Sequence, residues 1–459
     1  MTFDPQHAER RFGYGLSPTV PPPQGVAEML DALAGPDFAA ARYPVPSYRY
    51  MQEAIVHRRR FLALARAEGE TEAGRKAQAW AKEVKEQVER DRDRWFAATM
   101  LRRIKLRDGF RERLAAFWAD HFTAFGGGGV LPMGAALYVE DAVRPHLAGR
   151  FEDLLIACVT HPLMLHYLDQ FASAGPNSRA AGGDRPRGLN ENLAREVLEL
   201  HTLGVAGPYG QEDVRALALL FTGMGLSSDY GFQFRPRMAE PGVKTVLGVT
   251  YAGEPGLQAV HRVLRDLARH PATARHLAEK LAVHFVSDTP PPVLVAALED
   301  AWLRTGGDLM AVYAALLTHP AAWETEMRNI RPPVEFVSAA LRALDPPETA
   351  LSGLAREDMR DLFFRPLRVM GEPWLHPSGP DGFAEADDVW ITPQAIAARL
   401  EWAMAVPARL MPDLPDPHQF ASAALGRAVP PRVAFAAGAA ETRADAIGLI
   451  LSAPAFQRR

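Results

Sequence analysis

Asn190-Glu191-Asn192-Leu193-Ala194-Arg195-Glu196-Val197-Leu198-Glu199-Leu200-His201-Thr202-Leu203-Gly204 carries the punctuation of a helix. Asn190 is a favourable N-cap, Glu191 puts a negative charge in the first turn, and Gly204 can close the C-terminus. At about 100° per residue, Leu193, Val197 and Leu200 form an apolar stripe. Asn192, Glu196 and Glu199 form a polar stripe, with Leu203 on the same side. Glu191 and Arg195 stand at i, i+4 and can pair. His201 falls elsewhere, beside Ala194 and Val197, so Glu196 and His201 cannot serve one metal ion unless the helix bends. Such a carboxylate stripe reads either as a solvated face or as an inward-facing acidic pair for metal binding or proton transfer. For a single helix the solvated reading is the commoner.

Working outward, helical periodicity dominates. Short helices are expected at 7–12 and 26–35. Charged helices fill 47–125, with Ala67–Gly74 as the tip of a helical hairpin because two glycines flank an acidic turn. Further helices are expected over 132–148, 150–170, 211–222, 256–268, 271–285, 290–305, 308–317 and 332–344. Only 231–251 changes character, to two short strands. The fold class is mainly α: a large multi-helix, orthogonal or bundle-like domain with a small β-hairpin excursion near 231–251. The chain reads as a single domain over 1–459, with lobes at 1–230 and 252–459 around the hairpin.

Composition narrows the functional classes. The 459 residues are 48% hydrophobic and carry a net charge of −4, which supports a large core and gives no basic footprint for nucleic acid. Cys158 is the only cysteine, which rules out an internal disulfide or a cysteine-based cluster, and it reads as core packing. No apolar run approaches the ~20 residues of a membrane span. Residues 1–15 lack an apolar signal core, so the sequence reads as cytoplasmic unless a partner carries it out. Nucleophile elbows, zinc-binding His-Glu-x-x-His, dinucleotide fingerprints and calcium loops are absent.

Three other segments attract attention. His121 lies on an aromatic helix face with Leu114, Phe117, Trp118 and Phe125, where a histidine is more often a core residue than a ligand. Residues 171–189 have no periodicity and lead into the Asn190 helix, as a lid or an insertion. Residues 371–393 are irregular and place Trp374, His376, Asp381 and Trp390 together, as a pocket wall or a rigid loop.

Several stretches together resemble an uncharacterised bacterial family, domain of unknown function 1800. They include Arg11-Phe12-Gly13-Tyr14-Gly15-Leu16, Trp118-x-x-His121-Phe122, the Asn190–Gly204 helix and Lys244-Thr245-x-Leu247-Gly248. Lys280-Leu281-x-x-His284-Phe285-Val286, Arg331-Pro332-Pro333-Val334-Glu335-Phe336 and Pro380-Asp381-Gly382-Phe383 complete the pattern. The resemblance implies a mainly helical protein, often exported, and often encoded beside a sulfatase- or alkaline-phosphatase-like partner. Ala239 departs from the pattern, standing where many members carry histidine.

Two readings stay open. In the first the protein is an enzyme, an oxidoreductase or hydrolase dependent on carboxylates or on a divalent or transition metal ion. Glu196 and Glu199 ligate metal or transfer protons, His121 is a ligand or base, Arg195 orients a carboxylate, Asn192 completes the site, and Trp374, His376, Asp381 and Trp390 line the pocket. In the second it is a non-catalytic accessory or maturation partner of the sulfatase-like protein, and the polar helix is an inert hydrogen-bond network.

Overall fold

The Asn190 helix changes pitch half-way. Asn192–Glu196 is α-helical, and Val197–His201 continues as a wider π-turn. The wider register is held by i, i+5 bonds: Leu203 N–H donates to Leu198 O at 3.0 Å, and Thr202 Oγ1 to Val197 O at 2.6 Å. Asn190 Oδ1 accepts from the Asn192 N–H at 2.9 Å, so the cap acts one residue beyond the helical bonds. Gly204 ends the segment at φ +83°, and a β-carbon there would lie 3.0 Å from the His276 ring. Both demands select glycine.

This computed structural model describes residues 3–182, 188–253, 255–427 and 429–459. Helices make up 63% of the described residues, whose only sheets are two antiparallel pairs of three-residue strands, so the protein is mainly α. The two pairs correct the expected single hairpin. Phe232–Phe234 turns back onto Met224–Leu226, while Lys244–Val246 pairs with Val249–Tyr251. The expected helix over 150–170 is broken into Phe151–Thr160 and Pro162–Tyr167. Pro162 forces the residue before it out of helical conformation, and His161 Nδ1 then caps the new start by accepting from Leu163 N–H at 3.1 Å. The 132–148 helix is likewise divided, into Ala135–Tyr138, a π-turn Val139–Val143 and a 3₁₀ turn Arg144–His146 that contains Pro145. The expected lid, 171–189, includes residues 183–187, which lie outside the described residues. Its described part runs along the 235–240 turn, with Gly175 N–H donating to Met238 O and Asn177 to Glu240.

Arg49–Glu68 and Glu72–Lys105 form the expected helical hairpin, with Gly69 at φ +57° in its tip. The first half of the longer helix stands in water on i, i+4 ion pairs such as Lys76–Glu72 at 2.6 Å. Its second half is buried and joins two apolar clusters. Val88 and Trp95 belong to the larger, built mainly from residues 8–323. Phe96, Met100, Leu101 and Ile104 belong to the smaller, with helices Pro333–Leu344, Pro393–Leu410 and Arg443–Ser452. Buried guanidinium–carboxylate pairs tie distant helices together: Arg342 to Glu9 at 2.9 Å, Arg102 to Glu140 at 2.5 Å, and Arg144 to both Asp37 and Glu112. Among the described residues no helix is long and apolar enough to cross a membrane.

Candidate functional site

A cavity of about 110 Å³ is lined by residues of both apolar clusters. That is room for several waters or one small organic molecule. Its apolar walls include Phe117, Trp374, Phe383 and Trp390, and its polar groups include Arg103, Arg113, Asp120, His284, Glu372 and Glu385. The helix Gly109–His121 supplies Arg113, Phe117 and Asp120 from one face, held by Trp118 and Leu114, which are fully buried on the other.

Asp120 is cradled by a turn far along the chain. The Phe383 N–H donates to Asp120 Oδ1 at 2.9 Å, and Gly382, at φ +78°, lies so close that a β-carbon would stand 2.6 Å from Oδ2. Burial, reinforced by Glu385, pushes the carboxyl up to about 8, against the opposing pull of the Phe383 amide and Lys280. It therefore holds its proton at neutral pH. Glu372 accepts the Val334 N–H at 2.7 Å, and burial raises it to about 7, with Val334 and Arg103 opposing.

The opposite wall is a fixed chain of charges. Arg113 Nη2 lies 3.1 Å from His284 Nε2, and His284 Nδ1 lies 3.0 Å from both oxygens of Glu385. A guanidinium can only donate, so Nε2 accepts and the proton sits on Nδ1, donated to the carboxylate. Burial depresses His284 to about 4, which keeps the ring neutral. Burial alone would raise Glu385, but His284 together with Arg459 and Lys280 brings it down to about 2. Behind Arg113, Glu335 gathers Arg113 at 2.6 Å, Arg459 at 2.9 Å and Arg331 at 3.6 Å. These three guanidiniums outweigh burial and hold Glu335 below the usual carboxylate range.

The residues singled out in the sequence are divided among several places. Trp374 and Trp390 line the cavity. His376 is exposed and stacks on Phe125 at 4.2 Å. Asp381 is exposed in the turn that covers Asp120, and its charge acts on Glu196 and Tyr167. On the Asn192–His201 segment, Asn192 is exposed, and Arg195 lies 3.2 Å from Glu199 and 3.8 Å from Glu191. Glu196 is half-buried, and burial, Glu199 and Asp381 raise its pKa while Arg195 opposes. His121 is buried, with Nε2 3.3 Å from the His201 carbonyl and Nδ1 3.3 Å from Lys280 Nζ. Both ring nitrogens are thus occupied away from Glu196 and Glu199, and burial lowers its pKa. These three residues do not fit as one metal site, and among the described residues no group of three or more His, Cys, Asp or Glu side chains could hold a metal ion.

Replacing Glu196 by glutamine is expected to change stability by no more than a few tenths of a kcal/mol, towards stabilisation, since it removes a half-buried carboxylate flanked by Glu199 and Asp381. Urea unfolding at neutral pH measures this. A large loss would mean that Glu196 has a partner it needs.

A family model described as a protein of unknown function, DUF1800, matches residues 7–458. The chain belongs to that family. No curated protein and no solved structure matches it. Within this DUF1800 chain, Ala239 is buried against Gly223 in the 235–240 turn and does not border the cavity. Sequence reasoning passed over Asp120, Glu372, Glu385, Arg103 and Arg113. Two signals were available. His284 and Glu335 each stand beside apolar residues in the family stretches, His284 before Phe285-Val286 and Glu335 between Val334 and Phe336, and Gly382 follows Asp381 in the turn that covers Asp120.

Proposed function

We propose that this DUF1800 protein is a general acid–base enzyme of the hydrolytic class, acting on a small substrate in the Asp120–Glu372 cavity. The observation that carries the reading is two carboxyls in one aromatic-walled cavity, raised to about 8 and about 7. Carboxyls poised near neutrality suit proton transfer best, because the acid still holds its proton while the base has shed it. Asp120 is the acid that protonates a leaving group. Glu372, which ionises at lower pH than Asp120, is the base that takes a proton from water. The neutral His284 and ionised Glu385 do not change charge in this range; they fix the polarity of the far wall, and Glu385 adds to burial in keeping Asp120 protonated. Because the two carboxyls interact, their pH limbs belong to the pair. The Asn192–His201 segment is read as structural. Its support is the surface pairing of Arg195 with Glu191 and Glu199 and the burial of His201 against Phe122 and His121.

The test is hydrolysis of a panel of small esters, amides, glycosides and phosphate esters by wild type and Asp120→Asn. A bell-shaped rate is expected, peaking between about 7 and about 8. Losing the acid is expected to cost roughly 10²–10⁴ in rate on poor leaving groups. Nitrophenyl substrates, whose leaving group needs no proton, are expected to lose far less, a contrast that a misfolded variant would not give. No turnover of any substrate by wild type, or equal loss on both leaving groups, would remove the reading.

A further inference from the structure

We infer that the cavity takes a small oxyanion on an apolar body, gripped by the Arg103 guanidinium and the Trp374 indole N–H. The inference deepens the proposed acid–base reading and shares its cavity, but it rests on a different set of atoms.

Arg11, Arg103 and Arg399 are buried without an ion pair among the described residues, and of these three Arg103 is the one that lines the cavity. Arg102, Arg113, Arg144 and Arg342 each have a carboxylate partner, and Arg331 and Arg459 share Glu335. Arg103 is 7% exposed and takes part in no ion pair among the described residues. Its Nε has no acceptor, its Nη1 reaches only Ser338 Oγ at 3.4 Å, and its guanidinium rests on the Tyr14 ring at 4.8 Å. A buried guanidinium with no hydrogen-bonded carboxylate, and with only the part-ionised Glu372 acting on it, is costly, so an anion entering beside it regains what burial removed. The second donor lies in the same lining. Trp374 Nε1 is buried with no acceptor, and the ring is fixed edge-on against Phe96 at 5.2 Å. Buried indole N–H groups ordinarily find a partner.

The carboxyls on the cavity wall do not compete for this role. Asp120 holds its proton at neutral pH and Glu372 is only part-ionised there, so together they do not neutralise Arg103 fully. Glu335 and Glu385 are engaged by Arg113, Arg331, Arg459 and His284. The unmet demand of the cavity is therefore for an acceptor bearing negative charge, and Phe117, Phe383 and Trp390 offer apolar surface to the rest of the ligand. Carboxylate and phosphate groups both present such oxygens.

The experiment measures binding to the full chain of butanoate, its neutral isostere butanamide, and inorganic phosphate, by calorimetry and by the rise in unfolding midpoint. Butanoate is expected to bind at least about tenfold more tightly than butanamide, as the loss of a charged hydrogen bond implies. Phosphate binding as tightly as butanoate would mark the site as one for tetrahedral oxyanions, and weaker phosphate binding as one for carboxylates. Arg103→Gln is expected to remove roughly tenfold or more of the butanoate affinity and leave butanamide unchanged, and Arg103→Lys to retain part of it. Trp374→Phe keeps the ring and is expected to weaken butanoate several-fold, which keeps the question decidable if the arginine variants fold poorly. Equal binding of butanoate and butanamide, no binding of butanoate or phosphate at millimolar concentration, or indifference to Trp374→Phe in a folded protein overturns the inference. Catalysis that depends on Asp120 without anion binding would sink this inference alone, and anion binding without catalysis would sink only the acid–base reading.

Discussion

Glu335→Ala is expected to destabilise the protein by about 3–5 kcal/mol, the cost of breaking a buried ion pair by removing one partner. Against an ordinary stability of about 5–15 kcal/mol, that is enough to unfold a marginal domain. Glu335 is 6% exposed, and it is the common partner of Arg113, Arg331 and Arg459. Without it, three guanidiniums remain in a region where burial already pulls Arg331 down to about 9. The loss would spread into the cavity, because Arg113 is also the donor that fixes the His284 tautomer. Glu53→Ala provides the comparison: it breaks an exposed Arg49–Glu53 pair of similar length, 3.1 Å, and is expected to cost less than about 1 kcal/mol. Urea unfolding of the three proteins, compared at equal slope, measures both. If the two variants were equally stable, the buried cluster would be far better solvated than its burial indicates.

Local pattern made most of the helices legible. Apolar spacing in Gly109–His121 marks a buried face, and the glycines around residues 69–74 mark the turn between two long helices. What escaped was register. The π-turn at Val197–His201 has residues that suit an α-helix equally well; i, i+5 bonds involving Thr202 and Leu203 select the wider winding. Met224-Gly225-Leu226 has too little alternation to read as a strand, so the true partner of Phe232–Phe234 was hidden. The candidate site was less legible still. Asp120 stands next to His121, which drew attention through its aromatic neighbours, yet the properties of Asp120 come from a turn 263 residues away. His284 likewise acquires its tautomer from Arg113, 171 positions distant, and Glu385, 101 positions distant. Trp374 and Trp390 stand out in the sequence because rings in irregular segments need something to pack against, and both line the cavity. The acids between them depend on which carboxyls are desolvated, and that is a property of tertiary packing alone.

The stability difference between wild type and Asp120→Asn is expected to grow with pH. Asp120 is raised from 3.8 to about 8 in the folded protein. Below about pH 4 both folded and unfolded states carry the proton, and the group's full contribution to stability is present. As pH rises from there, the unfolded chain releases the proton while the fold retains it, and stability falls by roughly 1.4 kcal/mol per pH unit until about pH 8. Above that both states are ionised and the loss levels off. Asparagine does not titrate, and its side-chain oxygen can keep the Phe383 N–H, so the variant escapes this loss. Relative to wild type it gains on the order of 5 kcal/mol across the window. Glu372, raised from 4.5 to about 7, loses stability over the lower part of the same range, but in both proteins. Glu385, depressed to about 2, and His284, depressed to about 4, act with the opposite sign. Their stabilising contributions are lost as pH falls, from 4.5 for Glu385 and from 6.5 for His284, again in both proteins. The difference curve therefore reports Asp120 together with its coupling to Glu372 and Glu385. Urea midpoints measured from about pH 4 to about pH 9 trace it. A flat difference would mean that Asp120 is ionised in the fold at neutral pH and cannot be the acid. A rising one, in a variant more stable than wild type yet inactive on poor leaving groups, would show a carboxyl retained against the interest of stability for its proton.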